Sequence, residues 1–517
     1  MSISTREVER KYETTTRGPR SRGKGDASLP DLTGVAGIAS VAPHTERLDA
    51  VYYDTEDLRL AGSDATLRHR TGGGDAGWHL KLPLGGDGRE EIRSPLSEHV
   101  PGELADLVRS RTRGAPLRPV IRIRTERTVR ELRDAEGTVL AELSLDRVRA
   151  RSLTGGSRKA AWTEIELELA AGQPPLLDAV ERVLRKGGIR RAEHPSKLVR
   201  AARATGHSPP EGSSSAGAVK GSPGAHVVAY VSDQVEHLVR LDPAVRRDEP
   251  DAVHRMRVAC RRLRSALRSY RSVLDRRATD PVRDELKWLA GELGEERDHE
   301  VLRGRLTRAL DDVPTQDVLG PVRARLQVWD AAGGEHSRRR SLAALTDPRY
   351  DRLLASLHAL TTRPPLRRKA NAKPGKVMRR AVLKEYGRLR SRTERALALP
   401  QDAETAELDR ALHEARKAAK KVRYAAEVAR PALGKPAKRF GKRVKAVQQV
   451  LGGHQDSVVA RQLLRDLALR AEASGEPSFT WGLLYGEERR RARARRAELP
   501  AAWKRASATK YSKALTT

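Results

Sequence analysis

Glu7, Glu9 and Lys11 stand at alternate positions near the start of the chain. Alternate side chains of a strand share a face, so this spacing sets two carboxylates beside an ammonium. Such a face can hold a hard divalent cation through its oxygens and an anionic oxygen through its nitrogen. Taken singly, it is also the pattern of a solvated edge strand. It recurs, however: Arg68 with Arg70, His79 with Lys81, Arg122 with Arg124, and Glu164 with Glu166 and Glu168 each put charge on one side of a period-two segment. The opposite sides are mostly apolar, as in Trp78, Leu80 and Leu82 or Ile165, Leu167 and Leu169, which predicts strands. Charged faces suit the outside of an ordinary barrel, or the inside of a tunnel whose apolar exterior is covered by helices such as 176–186. Basic strands and acidic strands are segregated, which favours the tunnel. Its basic groups would grip phosphate oxygens, while Glu7, Glu9, Asp146, Glu164, Glu166 and Glu168 would hold divalent cations. Arg127 has the opposite parity to Arg124, so the two cannot share a face. Gly72 to Gly74 lack the Gly-Lys-Ser/Thr ending of a phosphate loop and predict a hairpin turn.

A second set of cations lies far downstream. His254, Arg257, Arg261, Arg262, Leu263 and Arg264 align with His413, Arg416, Lys420, Lys421, Val422 and Arg423 at a constant offset of 159 residues. A second block repeats at an offset of 158, LKWLAGELGEERD ending at Asp298 against VKAVQQVLGGHQD ending at Asp456. Two homologous helical bundles follow. On the first repeat helix Met256, Cys260, Leu263, Leu267, Tyr270 and Leu274 form the apolar stripe, which makes Cys260 a core residue. His254, Arg257, Arg261, Arg264 and Arg268 form a separate basic stripe. Stacked like charges cost helix stability, so an anion should offset them. A lone histidine there is most simply a cap or a surface group. Recurrence at one repeat position favours phosphate donation, since imidazole gains charge as pH falls through about 6.5. Metal ligation lacks a second ligand on the stripe. Asp298 and Asp456 are expected either to orient the stripes or to cap helices.

These elements need a chain of this size. At roughly 100 to 200 residues per domain, 517 residues predict about two to four domains. The Ser/Gly/Pro-rich segment 204–225 reads as a flexible linker, dividing a strand-rich part, 1–203, from a helical part, 226–515. Helix breaks are expected at Asp280-Pro281, Asp347-Pro348 and Pro364-Pro365. The formal charge is +33, which points to a polyanionic partner, whereas aromatics at 3% argue against a base-stacking nucleic-acid surface. One cysteine excludes a disulfide framework and a cysteine-based zinc site within one chain. No apolar run predicts a transmembrane helix and the start lacks a signal-peptide core, so a cytoplasmic protein without membrane partners is expected.

At Glu7-x-Glu9-x-Lys11, Tyr52 to Thr55, Arg68-x-Arg70, Lys81 in WHLKLP, Leu145 to Arg147, Glu164 to Leu169 and Lys197 in SKLVRA, the chain resembles the CYTH family of triphosphate tunnel metalloenzymes, in the family's order across residues 5–203. The resemblance implies a closed eight-stranded antiparallel tunnel with flanking helices and metal-dependent chemistry on triphosphates. It assigns phosphate binding to Lys11, Arg68, Arg70, Lys81, Arg122, Arg124 and Lys197. Metal binding, with Mg2+ or Mn2+, goes to Glu7, Glu9, Asp146, Glu164, Glu166 and Glu168, and Glu7, Glu9 and Lys11 are the catalytic candidates. The segments HRMRVACRRLRSAL, LGEERD, LHEARKAAKKVRYAAE and LGGHQD resemble the CHAD family across about 226–510, with Glu300 where an Asp is common. This second resemblance implies two four-helix bundles that bind inorganic polyphosphate through His254, Arg257, Arg261, Arg262, Arg264, His413, Arg416, Lys420, Lys421 and Arg423. The expected whole is an α+β multidomain triphosphatase acting on inorganic triphosphate or a related one, including thiamine triphosphate. A class IV-type adenylate cyclase and a non-catalytic polyphosphate scaffold are the alternatives.

Overall fold

Strands with one charged and one apolar face need two environments, and a closed barrel inside a helical coat supplies both. A computed structural model describes residues 3–14, 29–156, 158–194, 196–210, 217–400 and 406–515, with the backbone alone at 14 and 295–298. The chain divides into two compact units, 1–212 and 213–517.

The first unit contains β1 (Ile3–Thr14), β2 (Ser40–Asp54), β3 (Thr66–Thr71), β4 (Gly77–Gly85), β5 (Gly88–Ser94), α1 (Gly102–Thr112), β6 (Arg118–Arg133), β7 (Val139–Ser152), β8 (Lys159–Leu169), α2 (Pro175–Lys186), β9 (Ile189–Arg191) and α3 (Lys197–Ala204). Strand order is β5-β4-β3-β2-β6-β7-β8-β1, and β1 returns to pair with β5, closing eight antiparallel strands. Short β9 continues along β1 beside Tyr12 to Thr14. Closure leaves no free edge among the eight.

Alternation now has a direction. Tyr12, Leu143, Ile165 and Leu167 face outward and are buried beneath Leu177, Val180 and Leu184 of α2. Leu67, Trp78, Leu80 and Ile92 are covered in the same way by Leu104 and Val108 of α1. Each such side chain contributes roughly 1.5–3 kcal/mol when removed from water. The opposite, polar faces line a cavity. Helix α3 closes one end, where Leu198, Ala201 and Ala202 pack on Ile121, Ile123, Val148 and Ala150. Its first turn is capped by Ser196, which accepts from the Val199 N–H at 3.2 Å. The Gly72–Gly73 turn joins β3 to β4 as expected. Gly72 has φ of 80°, and a Cβ there would lie 2.3 Å from the Arg47 carbonyl oxygen.

Residues 211–216 of the expected linker lie outside the described residues. Its first part is packed rather than loose: Thr205 is fully buried, with its hydroxyl on the carbonyl of Ala201 at 2.8 Å, and Pro210 sits over Gly62. The hydroxyl closes the last turn of α3.

The second unit is helical: α4 (Pro223–Arg246), α5 (Ala252–Ser269), α6 (Arg276–Glu292), α7 (Gly294–Asp311), α8 (Val322–Thr346), α9 (Pro348–Thr362), α10 (Pro374–Ala398), α11 (Ala406–Ala473), α12 (Phe479–Ser507) and α13 (Thr509–Lys513). Helix α11 is interrupted at Gly434, whose φ of 61° and ψ of −139° are not helical. Met256, Cys260, Leu263, Leu267 and Tyr270 are all buried. One core draws on both repeats, and the Tyr270 hydroxyl donates across it to the Ala425 carbonyl at 2.7 Å. A smaller core joins α7 and α8 to the end of α11 and to α12. Asp347 caps α9, accepting from the Arg349 N–H at 2.7 Å. Asp280-Pro281, expected as a break, lies inside α6. Proline forfeits only one early hydrogen bond there, while Thr279, Val282, Leu286 and Leu289 bury a continuous stripe that carries the helix through.

Candidate active site and polyanion surface

The barrel encloses a cavity of about 480 Å³ whose lining includes Glu7, Glu9 and Lys11 of β1, Arg68 and Arg70 of β3, Lys81 of β4, Glu166 and Glu168 of β8, and Lys197 of α3. Register explains the meeting: Glu9 lies opposite Glu168, and Lys11 opposite Glu166. Lys81 reaches Glu7 at 2.6 Å and Glu9 at 3.9 Å. Lys11 pairs with Glu166 and approaches Glu9 at 3.6 Å.

The carboxylates expected to act together fall into two sets. Asp146, Glu164 and Glu166 bring oxygens within 4.8 Å of one another. Lys197 Nζ stands among them, 2.8 Å from Asp146, 2.8 Å from Glu164 and 2.6 Å from Glu166. Arg127 adds bonds of 2.7 Å to Asp146 and 2.6 Å to Glu166. Burial opposes ionisation in this cluster, but these cations hold Asp146 and Glu166 below the usual carboxylate range. Neither Asp146 nor Glu164 borders the cavity itself.

The second set is Glu7, Glu9 and Glu168, which all border it. Burial pushes Glu7 up to about 7 against the pull of Lys81, with Glu168 and Glu91 adding to the rise. Burial also raises Glu168, and its neighbours Glu9, Glu166 and Glu91 reinforce the effect. Glu9 differs: burial would raise it, but Lys11, Lys81 and Arg89 together bring it below its usual value. Glu7 and Glu168 are therefore harder to ionise than ordinary carboxylates, and a cation bound beside them would favour their charged forms.

Arg122 and Arg124 are not in the cavity. They are exposed on the outer face of β6, where Arg122 grips Asp49 at 2.8 and 2.7 Å and Arg124 reaches it at 3.0 Å. Arg127, of the other parity, lines the cavity. The inward positions of β6 near α3 are Ile121 and Ile123, because that end of the barrel is filled by an apolar helix.

In the helical unit, His254, Arg257, Arg261, Arg262 and Arg264 lie on α5, and His413, Arg416, Lys420, Lys421 and Arg423 on α11, all half-buried. Arg257 donates to the Gly294 carbonyl at 2.9 Å, and Arg416 lies over Gly452, the equivalent glycine of the second block. His413 Nδ1 is 2.7 Å from Gln455 Oε1, and Arg416 is 3.9 Å from Asp456. The Asp298 side chain lies outside the described residues.

The two stripes meet. Arg261 and Lys420, equivalent by the 159-residue offset, are close enough that Arg261 helps depress the Lys420 ammonium. Arg262 pairs with Glu427 at 3.3 Å, while Lys421 faces Arg268, and the offset carries one of these contacts onto the other. Exchange of equivalent contacts marks an approximate two-fold axis between α5 and α11, so the duplicated stripes form one surface.

A family profile for the CYTH domain matches residues 6–202, and one for the CHAD domain matches residues 229–465. The chain is a CYTH–CHAD protein. It is 39% identical to an uncharacterized protein found in two strains of Mycobacterium tuberculosis, over 96% of this chain and 95% of the relative. Among solved structures, the CHAD domain from the plant Ricinus communis shows 27% identity over 58% of this chain and 96% of that one, with a TM-score of 0.44. PptA from Streptomyces chartreusis shows 21% identity over 55% and 99%, with a TM-score of 0.45.

Sequence reasoning missed β5 of the CYTH barrel. Arg89, Glu91 and Arg93 alternate there, and all three line the cavity. Glu91 is 3.7 Å from Arg68 and 3.6 Å from Lys81, and accepts from His79 Nδ1 at 3.1 Å. Burial pulls the His79 ring down to about 4, against the opposing hydrogen bond to Glu91. The alternation was present in the sequence, but this seven-residue strand mixes signs immediately after a glycine-rich turn.

Proposed function

We propose that the CYTH barrel hydrolyses inorganic triphosphate with a divalent metal ion, and that the CHAD unit binds polyphosphate. The observation that carries this reading is the charge of the cavity. Its lining holds eight Lys or Arg residues and nine Asp or Glu residues. A highly charged triphosphate entering such a cavity meets many donors but no net positive charge, so added cations are needed to hold it.

Glu7, Glu9 and Glu168 fit that need best. They offer the hard oxygen donors that Mg2+ or Mn2+ prefers, they border the cavity, and a divalent ion would offset the burial that disfavours the charged forms of Glu7 and Glu168. The Asp146, Glu164 and Glu166 cluster already has an ammonium at its centre. A divalent ion supplies charge neutralisation at phosphate oxygens and lowers the pKa of water. Arg68, Arg70 and Arg127 present planar donors suited to phosphate oxygens, and Lys11, Lys81 and Lys197 add ammonium charge around them. Fixed donors in a largely enclosed barrel stabilise developing charge without reorganising.

The lining also favours inorganic triphosphate over ATP. Among the described residues, Tyr52 and His44 are its sole aromatic members and Val129, Leu169, Ala170 and Leu198 its apolar ones, which leaves little for an adenine ring to pack on. Phosphate release from triphosphate, longer polyphosphates and ATP, with Mg2+ or Mn2+ and then with chelator, tests the reading. Metal-dependent release from triphosphate is expected. Cyclic product from ATP would shift the assignment to the cyclase, and absence of all turnover would leave a binding scaffold.

In the CHAD unit, the converging stripes on α5 and α11 support polyphosphate as the ligand. Among the described residues, no helix is long and apolar enough to cross a membrane.

A further inference from the structure

Outside the tunnel, the barrel carries a second array of cations. Exposed Arg122 and Arg124 of β6 stand opposite exposed Arg151 and Arg149 of β7, and Arg151 stands opposite Lys159 of β8. Cations directly opposite one another on adjacent strands repel, and nothing in barrel closure requires them. Asp49 is shared between Arg122 and Arg124, so that trio retains a positive charge. Two depressions cross this face, one of about 450 Å³ where Arg47, Arg124, Arg147 and Arg149 outnumber Asp49 and Glu126, and one of about 570 Å³ beside Arg122, Arg151 and Lys159 with no acidic residue among the described residues of its lining.

We infer that this outer face is a track for linear polyphosphate, holding the part of the polymer that does not fit inside the barrel. Charge complementarity supplies the attraction. The β3–β4 turn supplies continuity: Thr71 and Gly72 border the outer depression, while Gly74 and Asp75, two residues on, border the cavity. A flexible phosphate chain can pass over such a turn. The exposed positions Arg122, Arg124, Arg149, Ala161 and Thr163 offer no aromatic platform, which favours inorganic polyphosphate over single-stranded nucleic acid. The inference rests on the phosphoanhydride chemistry proposed for the tunnel and extends it to chains longer than triphosphate.

Arginine footprinting of the full-length protein tests it. Protein in chelator is treated with phenylglyoxal alone, with triphosphate, with long-chain polyphosphate, or with duplex DNA at equal total phosphate, and modified positions are read by mass spectrometry. Polyphosphate is expected to slow modification of Arg122, Arg124 and Arg149 by about tenfold, in a salt-sensitive way, while triphosphate leaves them unchanged. Unchanged reactivity under saturating polyphosphate would overturn the inference, and equal protection by DNA would assign the face to nucleic acid instead. The variant combining Arg122→Glu, Arg124→Glu and Arg149→Glu gives a second reading. Triphosphate turnover should persist, while kcat/KM for long-chain polyphosphate falls about tenfold; an unchanged ratio between the two substrates would also overturn it. If the unaltered protein hydrolyses neither substrate, the tunnel reading fails, and the footprint still decides the outer track.

Discussion

The guanidinium of Arg127 is held by the fully buried carboxylate of Asp146 through two hydrogen bonds, Nε to Oδ1 at 2.8 Å and NH2 to Oδ2 at 2.7 Å. This pair fixes a planar donor at the cavity wall, in the place expected for Arg124. Replacing Arg127 by Ala should lower kcat/KM for triphosphate at least about tenfold, since a hydrogen bond to a charged group is worth roughly 1.5–3 kcal/mol. Arg122→Ala should leave triphosphate turnover within about twofold, because its exposed pair with Asp49 contributes little. Steady-state phosphate release checks both, and equal effects would undo the placement of the cavity wall.

Glu7→Gln and Glu9→Gln keep side-chain size while removing charge from the carboxylate set that borders the cavity. Each should raise the metal concentration needed for half-maximal turnover about tenfold or more, with the far-ultraviolet spectrum of the folded protein retained. Metal titration at saturating triphosphate measures this. An unchanged titration would move the metal to another set.

Lys197 pairs with three buried or half-buried acids from one helix end. Lys197→Met should destabilise the CYTH barrel by about 3–5 kcal/mol, the cost of leaving charges buried without a partner. The vacated cluster of Asp146, Glu164 and Glu166, with oxygens within 4.8 Å of one another, is then open to a cation. Mn2+ is therefore expected to raise the melting temperature of the variant more than that of the unaltered protein. Equal metal-induced shifts would show that Lys197 does not stand in for a cation.

In the CHAD unit, burial, with Arg416 and Arg261, brings Lys420 down to about 7. Its ammonium is charged below that value and loses its proton above it, and a bound polyanion favours the charged form. Polyphosphate affinity should thus be higher near about pH 6 than near about pH 8, with proton uptake on binding in between. Lys420→Arg stays charged across this range and should flatten the profile. Binding isotherms in buffers of different ionisation heat would detect the uptake, and an identical profile in the variant would remove Lys420 from the site.

The two-fold meeting of α5 and α11 predicts that either stripe alone is insufficient. Reversal of Arg257 and Arg261 to Glu, or of Arg416 and Lys420 to Glu, should weaken polyphosphate binding far more than the same charge change at Arg489 and Arg493 on exposed turns of α12. Equal losses at all three places would indicate a diffuse electrostatic surface.

Much of this protein is legible in its sequence. Alternating charge identifies the strand faces, and two exact-length offsets identify the helical duplication, because both depend on local periodicity. The basic stripe of α5 and its buried neighbours, Met256, Cys260 and Leu263, follow from three- and four-residue spacing alone. What periodicity cannot tell is which face of a strand turns inward at a given height in the barrel. Arg122 and Arg124 alternate with isoleucines just as a lining strand would, yet α3 fills that end with apolar side chains and sends the arginines outside. Likewise the sequence shows two copies of a cationic helix but not that Arg261 and Lys420 face each other. Six acidic residues met the criterion for a metal site, and their division into a set closed by Lys197 and a set open to the cavity was decided by tertiary structure, because neutralisation depends on distances between residues far apart in the chain.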